Sequence, residues 1–540
     1  MEEVLDSFEL IEAVQIVNSK SHTLELNVDA VRRILEADNI KDRNVVVVSI
    51  AGSLRKGKSF LLNFFLKYLK AQYKSHDVTD WIGQNGDELE GFSWRGGRHP
   101  DTIGIWIWSE IFTYDPPNDD GIAIILMDTQ GIFDNQSSMK DCISTFAISM
   151  LLSSVQCYNI MRCIQEDDLQ YLQLFMEYAR LAVDGSDETN EKVFQNLLFL
   201  IRDWPFSYDN AYGYSEEYVK EVLAENDKQT PEMCQLRQSI ESTFEQVSAF
   251  LMPHPGKSVA QEKDFKGKLE DIDDEFVKYV KILIPSILAP ENLKVKQING
   301  ENVRAAEFVK YLESYVETFS GDEVPQPKSV LMATAETHIR LLHEKCLQEY
   351  VGTMKEWFDK EEGYFSDIEL VGLHSSAEVK SISMFKSQRK LGRLTVSEWE
   401  ARLQKAIRKK FIPFENLNKA RRKTISSAKN KIMKYVAAGA AAVAAVGSIV
   451  VAGPLGLGIF LGEASIALVT AVTTGSAFGG AGLGVGLSAM VTSLLPARWF
   501  RNREIENAIE AQEVDGTVAN SNPLNATASL NRPYTIYDTD

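Results

Sequence analysis

VVVVSIAGSLRKGKSFLLNFF (residues 45–65) is the stretch on which the fold turns. Val45, Val46, Val47, Val48 and Ile50 read as a buried strand. Gly52-Ser53-Leu54-Arg55-Lys56-Gly57-Lys58-Ser59 then fits G-x-x-x-x-G-K-[ST]. Phe60, Leu61, Leu62, Phe64, Phe65, Leu66 and Leu69 follow at helical spacing. Strand, glycine loop and helix in this order are the context a P-loop requires. Glycines let successive backbone N–H groups face phosphate oxygens, and the helix N-terminus adds partial positive charge. In this reading the loop residues from Gly52 to Phe60 line a nucleotide. Lys58 reaches its β- and γ-phosphates, and the Ser59 hydroxyl ligates Mg²⁺.

A P-loop calls for partners. IAIILMDTQG is an apolar strand ending in Asp128-Thr129-Gln130-Gly131, a D-x-x-G. There Asp128 holds Mg²⁺ through water, and the Gly131 N–H binds the γ-phosphate. Between the two motifs, WRGGRHPDTIGIWIW offers Thr102 as a metal ligand from a first switch, although an ordinary loop threonine reads equally well. The N-K-x-D tetrad that reads a guanine base is absent, and the strand NLLFLI ends instead in Arg202-Asp203. On the residues alone, Asp203 fits a carboxylate that reads guanine and an exposed strand-end aspartate equally.

The 540 residues carry a formal net charge of −19, against the basic footprint of a nucleic-acid binder. Five cysteines without C-x-x-C spacing suggest reduced thiols, and Cys142, Cys157 and Cys163 are expected in apolar helical surroundings. The acidic N-terminus MEEVLDSFELIEAV lacks the basic and apolar regions of a cleaved signal.

Alternation of strands and helices over residues 1–320 predicts an α/β domain with a mostly parallel sheet. GDEVPQPKS contains a short linker, residues 321–327, and the charged helical text of 328–434 suits a small bundle. Composition then changes abruptly. Glu463 is the only charge in residues 436–497, and the runs on either side of it are each long enough to cross a bilayer. A transmembrane helical hairpin over 435–497 is expected, followed by a tail, 498–540, with a short amphipathic helix and then disorder. Basic residues flank the apolar region on both sides and predict that both termini lie in the cytosol.

The motifs GSLRKGKSFLLNFF, GFSWRGG, IGIWIWSEIF, ILMDTQGIFD, SSVQCYN, QEDDLQYLQLFMEYARLA, FLIRDWPF, LMPHPGK and KSVLMATAE stand in this order. Together they resemble the atlastin family of the dynamin superfamily, over residues 14–335 and more loosely through the bundle. The resemblance implies a GTPase of the endoplasmic reticulum membrane whose GTP-loaded domains form a homodimer head to head. It implies that Arg55 is a cis arginine finger and that Arg95 is a switch arginine tied to dimer formation. It also implies that Arg202 and Asp203 read the base, and that His254 and Pro255 belong to the loop covering the guanine.

The expected activity is hydrolysis of GTP to GDP and phosphate, with Arg55, Lys58, Ser59 and Thr102 as the catalytic set and Ser59, Thr102 and Asp128 around Mg²⁺. The expected outcome is tethering and fusion of endoplasmic reticulum membranes, with the bundle pivoting at residues 321–327. The alternatives are a defence GTPase like the guanylate-binding proteins and a tethering scaffold with weak turnover. Two departures from the family pattern stand out. Only one threonine, Thr102, is available in the first switch, and the apolar segments are rich in alanine and glycine.

Overall fold

The structure is a computed structural model. It describes residues 11–446 other than 21–22, 54–55, 85, 95–102, 118, 132–137, 174–176, 178–191, 262–264, 322 and 389–395. The chain begins with β1 (Ala13–Lys20), β2 (Thr23–Leu26), α1 (Val28–Leu35), β3 (Asn44–Gly52) and α2 (Lys58–Lys70). Next come β4 (Ile105–Trp108), β5 (Phe112–Tyr114), β6 (Ile122–Thr129), α3 (Met139–Leu152), β7 (Val155–Met161) and α4 (Glu166–Gln170). They are followed by β8 (Phe194–Arg202), β9 (Gly213–Tyr214), α5 (Glu216–Leu223), α6 (Pro231–Thr243), β10 (Phe244–Leu251), α7 (Lys257–Gln261) and α8 (Asp274–Leu288). The hairpin β11 (Gln297–Ile298) and β12 (Glu301–Asn302) leads into α9 (Ala305–Phe319), α10 (Pro327–Lys360), α11 (Asp367–Ser387) and α12 (Val396–Val446).

Among the described residues, ten strands form one sheet in the order β2-β1-β4-β6-β3-β7-β8-β10-β9, with β5 also paired to β6. All nine residues of β3 are buried. Val45, Val47 and Ala51 join the core cluster that also holds residues of α1, α3 and α9. Val46, Val48 and Ile50 join the opposite cluster, with residues of α2 and α8. A strand covered on both faces needs a continuous apolar run, which is why the valine stretch does not alternate with polar residues. Each buried valine contributes roughly 1.5–3 kcal/mol.

The expectation of a mostly parallel sheet holds at the centre, where β6, β3, β7, β8 and β10 run parallel. It is corrected at the margins, where β1, β2, β4, β5 and β9 pair antiparallel, so the sheet is mixed. Short connections, as between β1 and β2 or β5 and β6, can only join antiparallel neighbours, whereas a parallel pair needs a crossover of a dozen or more residues.

The cysteine expectation is also corrected in part. Cys142 is buried in α3, but Cys157 is buried on the strand β7, and Cys163 is half-buried just beyond it. None of the five forms a disulfide.

Polar groups inside this unit are joined to one another. Ser49 and Ser149 hydroxyls lie 2.7 Å apart, and the Ser149 and Ser153 hydroxyls donate to Gln156 Oε1 at 2.9 and 3.0 Å. The segment before β11 closes against β3: Lys296 N–H donates to the Val45 carbonyl at 2.7 Å, and Val45 N–H donates to Val303 at 2.9 Å. This buries the Lys296 side chain, whose ammonium donates to the Ser153 carbonyl at 3.0 Å.

The chain forms two compact units. The first is Met1–Leu342 with Arg389–Thr395, and the second is His343–Gln388 with the residues from Val396 onward. In the first unit, the start of α10 rests on α9 through Tyr315 and Thr334, whose hydroxyls are 3.1 Å apart. In the second, Tyr350, Met354 and Phe358 of α10, Ala377 and Phe385 of α11, and Leu403, Ile407 and Phe414 of α12 are buried. Phe358 packs against Phe414 at 5.2 Å between ring centroids. Asn418 ties α12 to the turn before α11, donating to the Phe365 carbonyl at 2.9 Å and accepting its N–H at 2.8 Å.

Among the described residues no helix is long and apolar enough to cross a membrane. The described residues stop at Val446, within α12, so residues 447–497 of the expected hairpin and the whole tail lie outside them.

Burial pushes the Lys296 ammonium down to about 7 from its ordinary 10.5, with Glu245 opposing the shift. An unfolded chain keeps this proton up to about 10.5, while the folded chain releases it above about 7. The unfolded state therefore binds more protons in that interval, and stability rises with pH across it. Lys58, pushed down to about 8, acts in the same direction. Urea unfolding at about pH 7.5 and about pH 9 is expected to show this rise, and Lys296→Met to flatten it. An unchanged slope in the variant would remove Lys296 as the cause.

Candidate nucleotide-binding site

The loops that follow β3, β6, β8 and β10 leave the same edge of the sheet, because these strands are parallel. Ligands of open α/β sheets bind at this carboxyl edge. The described residues assigned to the nucleotide site from the sequence follow these strands. Leu54, Arg55, Arg95 and Thr102 lie outside the described residues.

Two glycines shape the P-loop. Gly52 ends β3 at φ +141°, and a Cβ there would stand 2.2 Å from the Asn159 carbonyl oxygen on β7. Gly57 adopts φ +73° as the N-cap of α2, with the Arg202 guanidinium 3.3 Å from where its Cβ would be. The loop carbonyls are held from within the protein. Lys56 O accepts from Asn159 Nδ2 at 3.2 Å and from Arg202 Nη1 at 3.3 Å, and Gly57 O accepts from Arg202 Nη1 at 3.3 Å. At the start of α2 the first N–H groups have no acceptor within the helix. Phe60, counted among the loop residues from the sequence, turns its ring into the core, 5.4 Å from Phe64 and 5.2 Å from Trp94.

Lys58 is buried, and its ammonium donates to the carbonyls of Gly52 and Ser53 at 3.3 Å each. Burial pushes it down to about 8, with nearby Asp128 opposing the shift. A desolvated ammonium held by two neutral carbonyls is stabilised by an incoming anion.

Strand β6 runs in register with β3, Ile50 opposite Asp128, which carries Asp128 to the P-loop. The Ser59 hydroxyl donates to Asp128 Oδ2 at 2.5 Å, and Asp128 is 1 % exposed. A hydroxyl and a carboxylate oxygen so close together form the hard oxygen donor pair that Mg²⁺ takes, so these residues fit the expected ion. Gly131 is buried, its carbonyl 3.8 Å from the Cys142 thiol that donates to it.

Arg202 and Asp203 part ways. The Arg202 side chain turns under the P-loop, 3 % exposed, with its guanidinium 5.4 Å from the Phe276 ring centre. Burial lowers it to about 10, with Asp203 opposing the shift. Asp203 stands past the end of β8 with φ +54°, a left-handed conformation uncommon outside glycine, asparagine and aspartate. His254 is exposed, and its Nδ1 accepts the Gly256 N–H at 3.0 Å. Pro255 is buried, with its carbonyl accepting the Asp273 N–H at 3.0 Å at the start of α8. Contacts thus join Lys56, Gly57, Lys58, Ser59, Asp128 and Arg202 into one cluster. Asp203 and His254 share its edge without bonding to the P-loop among the described residues.

Two residues of the site were not legible. Asn159 faces Gly52 only because of the β3–β7 register, which no local pattern announces. Gln130 occupies an unspecified position of D-x-x-G, yet its side-chain oxygen accepts the Gly104 N–H at 2.9 Å.

The close approach at Gly52 can be tested against a glycine in open space. Gly86 also has positive φ, +92°, but nothing lies within 4 Å of its Cβ position. Gly52→Ala and Gly86→Ala share the conformational cost, about 1 kcal/mol or more. Gly52→Ala is expected to lower the thermal midpoint by several degrees more than Gly86→Ala. Equal midpoints in thermal melts would show that β3 and β7 can separate freely.

The family profile described as "Guanylate-binding protein, N-terminal domain" matches residues 21–297. Atlastin of Drosophila melanogaster is 49 % identical over 383 residues, covering 70 % of this chain and 70 % of its own length. Atlastin-3 of Homo sapiens is 44 % identical over 381 residues, with 70 % of each covered, and Atlastin-1 of Bos taurus is 42 % identical over 379, with 70 % and 67 % covered. With these identities over a P-loop, a D-x-x-G and the sheet that unites them, the chain belongs to the atlastin family, dynamin-superfamily GTPases with a G domain of the guanylate-binding type.

Proposed function

We propose that the protein is a membrane-anchored GTPase that hydrolyses GTP to GDP and phosphate, pairs in trans through its G domains, and tethers and fuses endoplasmic reticulum membranes. The observation that carries the reading is the cluster of Lys58, Ser59 and Asp128 behind a loop whose carbonyls are tied inward. Trans peptides with carbonyls turned inward present their N–H groups outward, toward an anion.

In this reading GTP lies with its phosphates over Gly52 to Ser59. Its phosphate oxygens return to Lys58 the stabilisation that burial removed. Ser59 and Asp128 would hold Mg²⁺, which neutralises charge developing on the β- and γ-phosphates. Water attacks the γ-phosphorus, and the bond to the β-γ bridging oxygen breaks with its electron pair left on GDP. Arg55, which matches the family's arginine finger, adds positive charge to that transition state. Asp203 accepts from the guanine N1–H and 2-amino group, while Arg202 keeps the loop beneath the phosphates in shape.

The isolated residues 1–430 are expected to hydrolyse GTP with Mg²⁺, and Lys58→Ala to abolish tight GTP binding and turnover. The variant removes the ammonium that faces the phosphates, and the loop backbone alone does not replace its charge. Near-parental turnover in Lys58→Ala would sink the assignment.

The membrane part of the proposal rests on residues 436–497, with Glu463 as their only charge. Lys429, Lys431 and Lys434 precede them, exposed on α12, and Arg498, Arg501 and Arg503 follow. Further back on the same side, Arg421 donates to the carbonyls of Phe358 and Glu361 at 3.1 Å each. A hairpin with both termini cytosolic satisfies this charge pattern. Tags placed before Met1 and after Asp540 are expected to be lost together when intact vesicles are treated with protease. A protected C-terminal tag would indicate an odd number of spans, and release by alkaline carbonate would favour a coat-like defence GTPase.

A further inference from the structure

Helix α12 outruns the bundle it belongs to. Asn418, 3 % exposed, is its last buried residue among the described ones, and from Lys419 to Lys434 the described side chains are exposed or half-buried. No aspartate or glutamate occurs between Glu415 and Glu463, whereas seven lysines and arginines fall in residues 419–434 of a chain with a formal net charge of −19. The structure sorts these cations. Arg421 is held by the Phe358 and Glu361 carbonyls, and Arg422 pairs with Asp367 at 3.4 Å, its guanidinium 5.8 Å from the Tyr364 ring centre. Both serve the bundle. Lys419, Lys423, Lys429, Lys431 and Lys434 are exposed, and none has a carboxylate within ion-pair distance among the described residues.

Distance along the helix divides the five lysines again. From Val396 to Val446 α12 is one helix, so the lysines and the start of the uncharged run at Val436 share an axis. At the rise of an α-helix, Lys434, Lys431 and Lys429 precede Val436 by about 3, 8 and 10 Å, and Lys423 and Lys419 by about 20 and 26 Å. Charges at a membrane surface are screened over about 8 Å at physiological salt. Allowing for the length of a lysine side chain, the first three lie within that layer and the other two beyond it. Their positions on the helical wheel face different sides of the helix, as suits a shaft standing among headgroups rather than one lying on them. Met433, between Lys431 and Lys434, is 63 % exposed and adds an apolar side chain at the same level.

Resting on the membrane-anchored reading above, we propose that Lys429, Lys431 and Lys434 form a collar that binds anionic phospholipid headgroups, with Met433 turned to the acyl boundary. The flanking charges set which side of the membrane the termini occupy. The collar does something further, deciding which lipids stay beside the anchor. An unpaired ammonium is a compact point charge that a headgroup of net negative charge neutralises and a zwitterionic one does not.

The test places the full chain in phosphatidylcholine vesicles with a trace of spin-labelled phosphatidylserine or spin-labelled phosphatidylcholine. Lipid next to an embedded protein is slowed, and the ratio of the two slowed fractions gives the preference. The parent is expected to favour phosphatidylserine about threefold or more at about 0.05 M salt, and to approach parity at about 1 M. The triple variant Lys429→Gln, Lys431→Gln, Lys434→Gln is expected to lose most of this preference, and the double variant Lys419→Gln, Lys423→Gln to keep it. Parity in the parent at low salt overturns the proposal, and so does a preference that survives about 1 M salt. A preference retained by the triple variant also overturns it, pointing to Arg498, Arg501 and Arg503 instead, as does an equal loss in the double variant. If the triple variant does not fold, the salt series and the double variant decide. A parent that slows neither probe and leaves the vesicles in alkaline carbonate removes the anchored reading itself.

Discussion

A side chain on Gly52 would collide with the carbonyl of Asn159, and much of the site follows from that approach of bare backbone. With β3 and β7 in contact at Gly52 and Asn159, the Asn159 amide reaches the Lys56 carbonyl in the loop that follows. Arg202, one strand further on, reaches the same carbonyl and the next. Two strands thus hold the P-loop from below by its acceptors. In the proposed function its N–H groups face the phosphates, and a loop of this kind needs no side chain to recognise them.

The same packing accounts for the electrostatics. Lys58, Arg202 and Lys296 are buried cations, and each is displaced downward first by desolvation. No carboxylate lies within ion-pair distance of any of the three among the described residues, although Asp128 is close enough to Lys58 to oppose its shift. Lys58 and Arg202 lie at the carboxyl edge, where the P-loop would bring them a polyanion. Lys296 lies by the opposite ends of the strands, near Val45 and Ser153, where its ammonium donates to the Ser153 carbonyl. Two of the three have a use in the proposed chemistry, and the third is a cost of closing the sheet.

Local order made the centre of the fold legible. An apolar run, G-x-x-x-x-G-K-S and a helical repeat are one covalent stretch, and their meaning survives without neighbours. The same holds for IAIILM before Asp128, and for the proline-marked break between α9 and α10. The antiparallel margin was less legible, because strands of two to four residues such as β2, β4, β5 and β9 carry too little pattern to show their direction. Phe60 closes the loop motif and opens the apolar helical run, and its ring follows the second pattern into the core. A motif position specifies a backbone N–H, and whether the ring faces ligand or core depends on Trp94 and Phe276, which are far away in sequence.

By itself the sequence determined the strand–loop–helix unit, the carboxylate strand that accompanies it, the helical region and the apolar segment near the C-terminus. Each rests on composition or spacing within one run of chain. Only the tertiary structure decided that Arg202 supports the loop while Asp203 stands clear of it, that Asn159 meets Gly52, and that Gln130 meets the Gly104 N–H with its side chain. These outcomes depend on strand register, and a shift of one residue would turn every one of these side chains to the other face of the sheet.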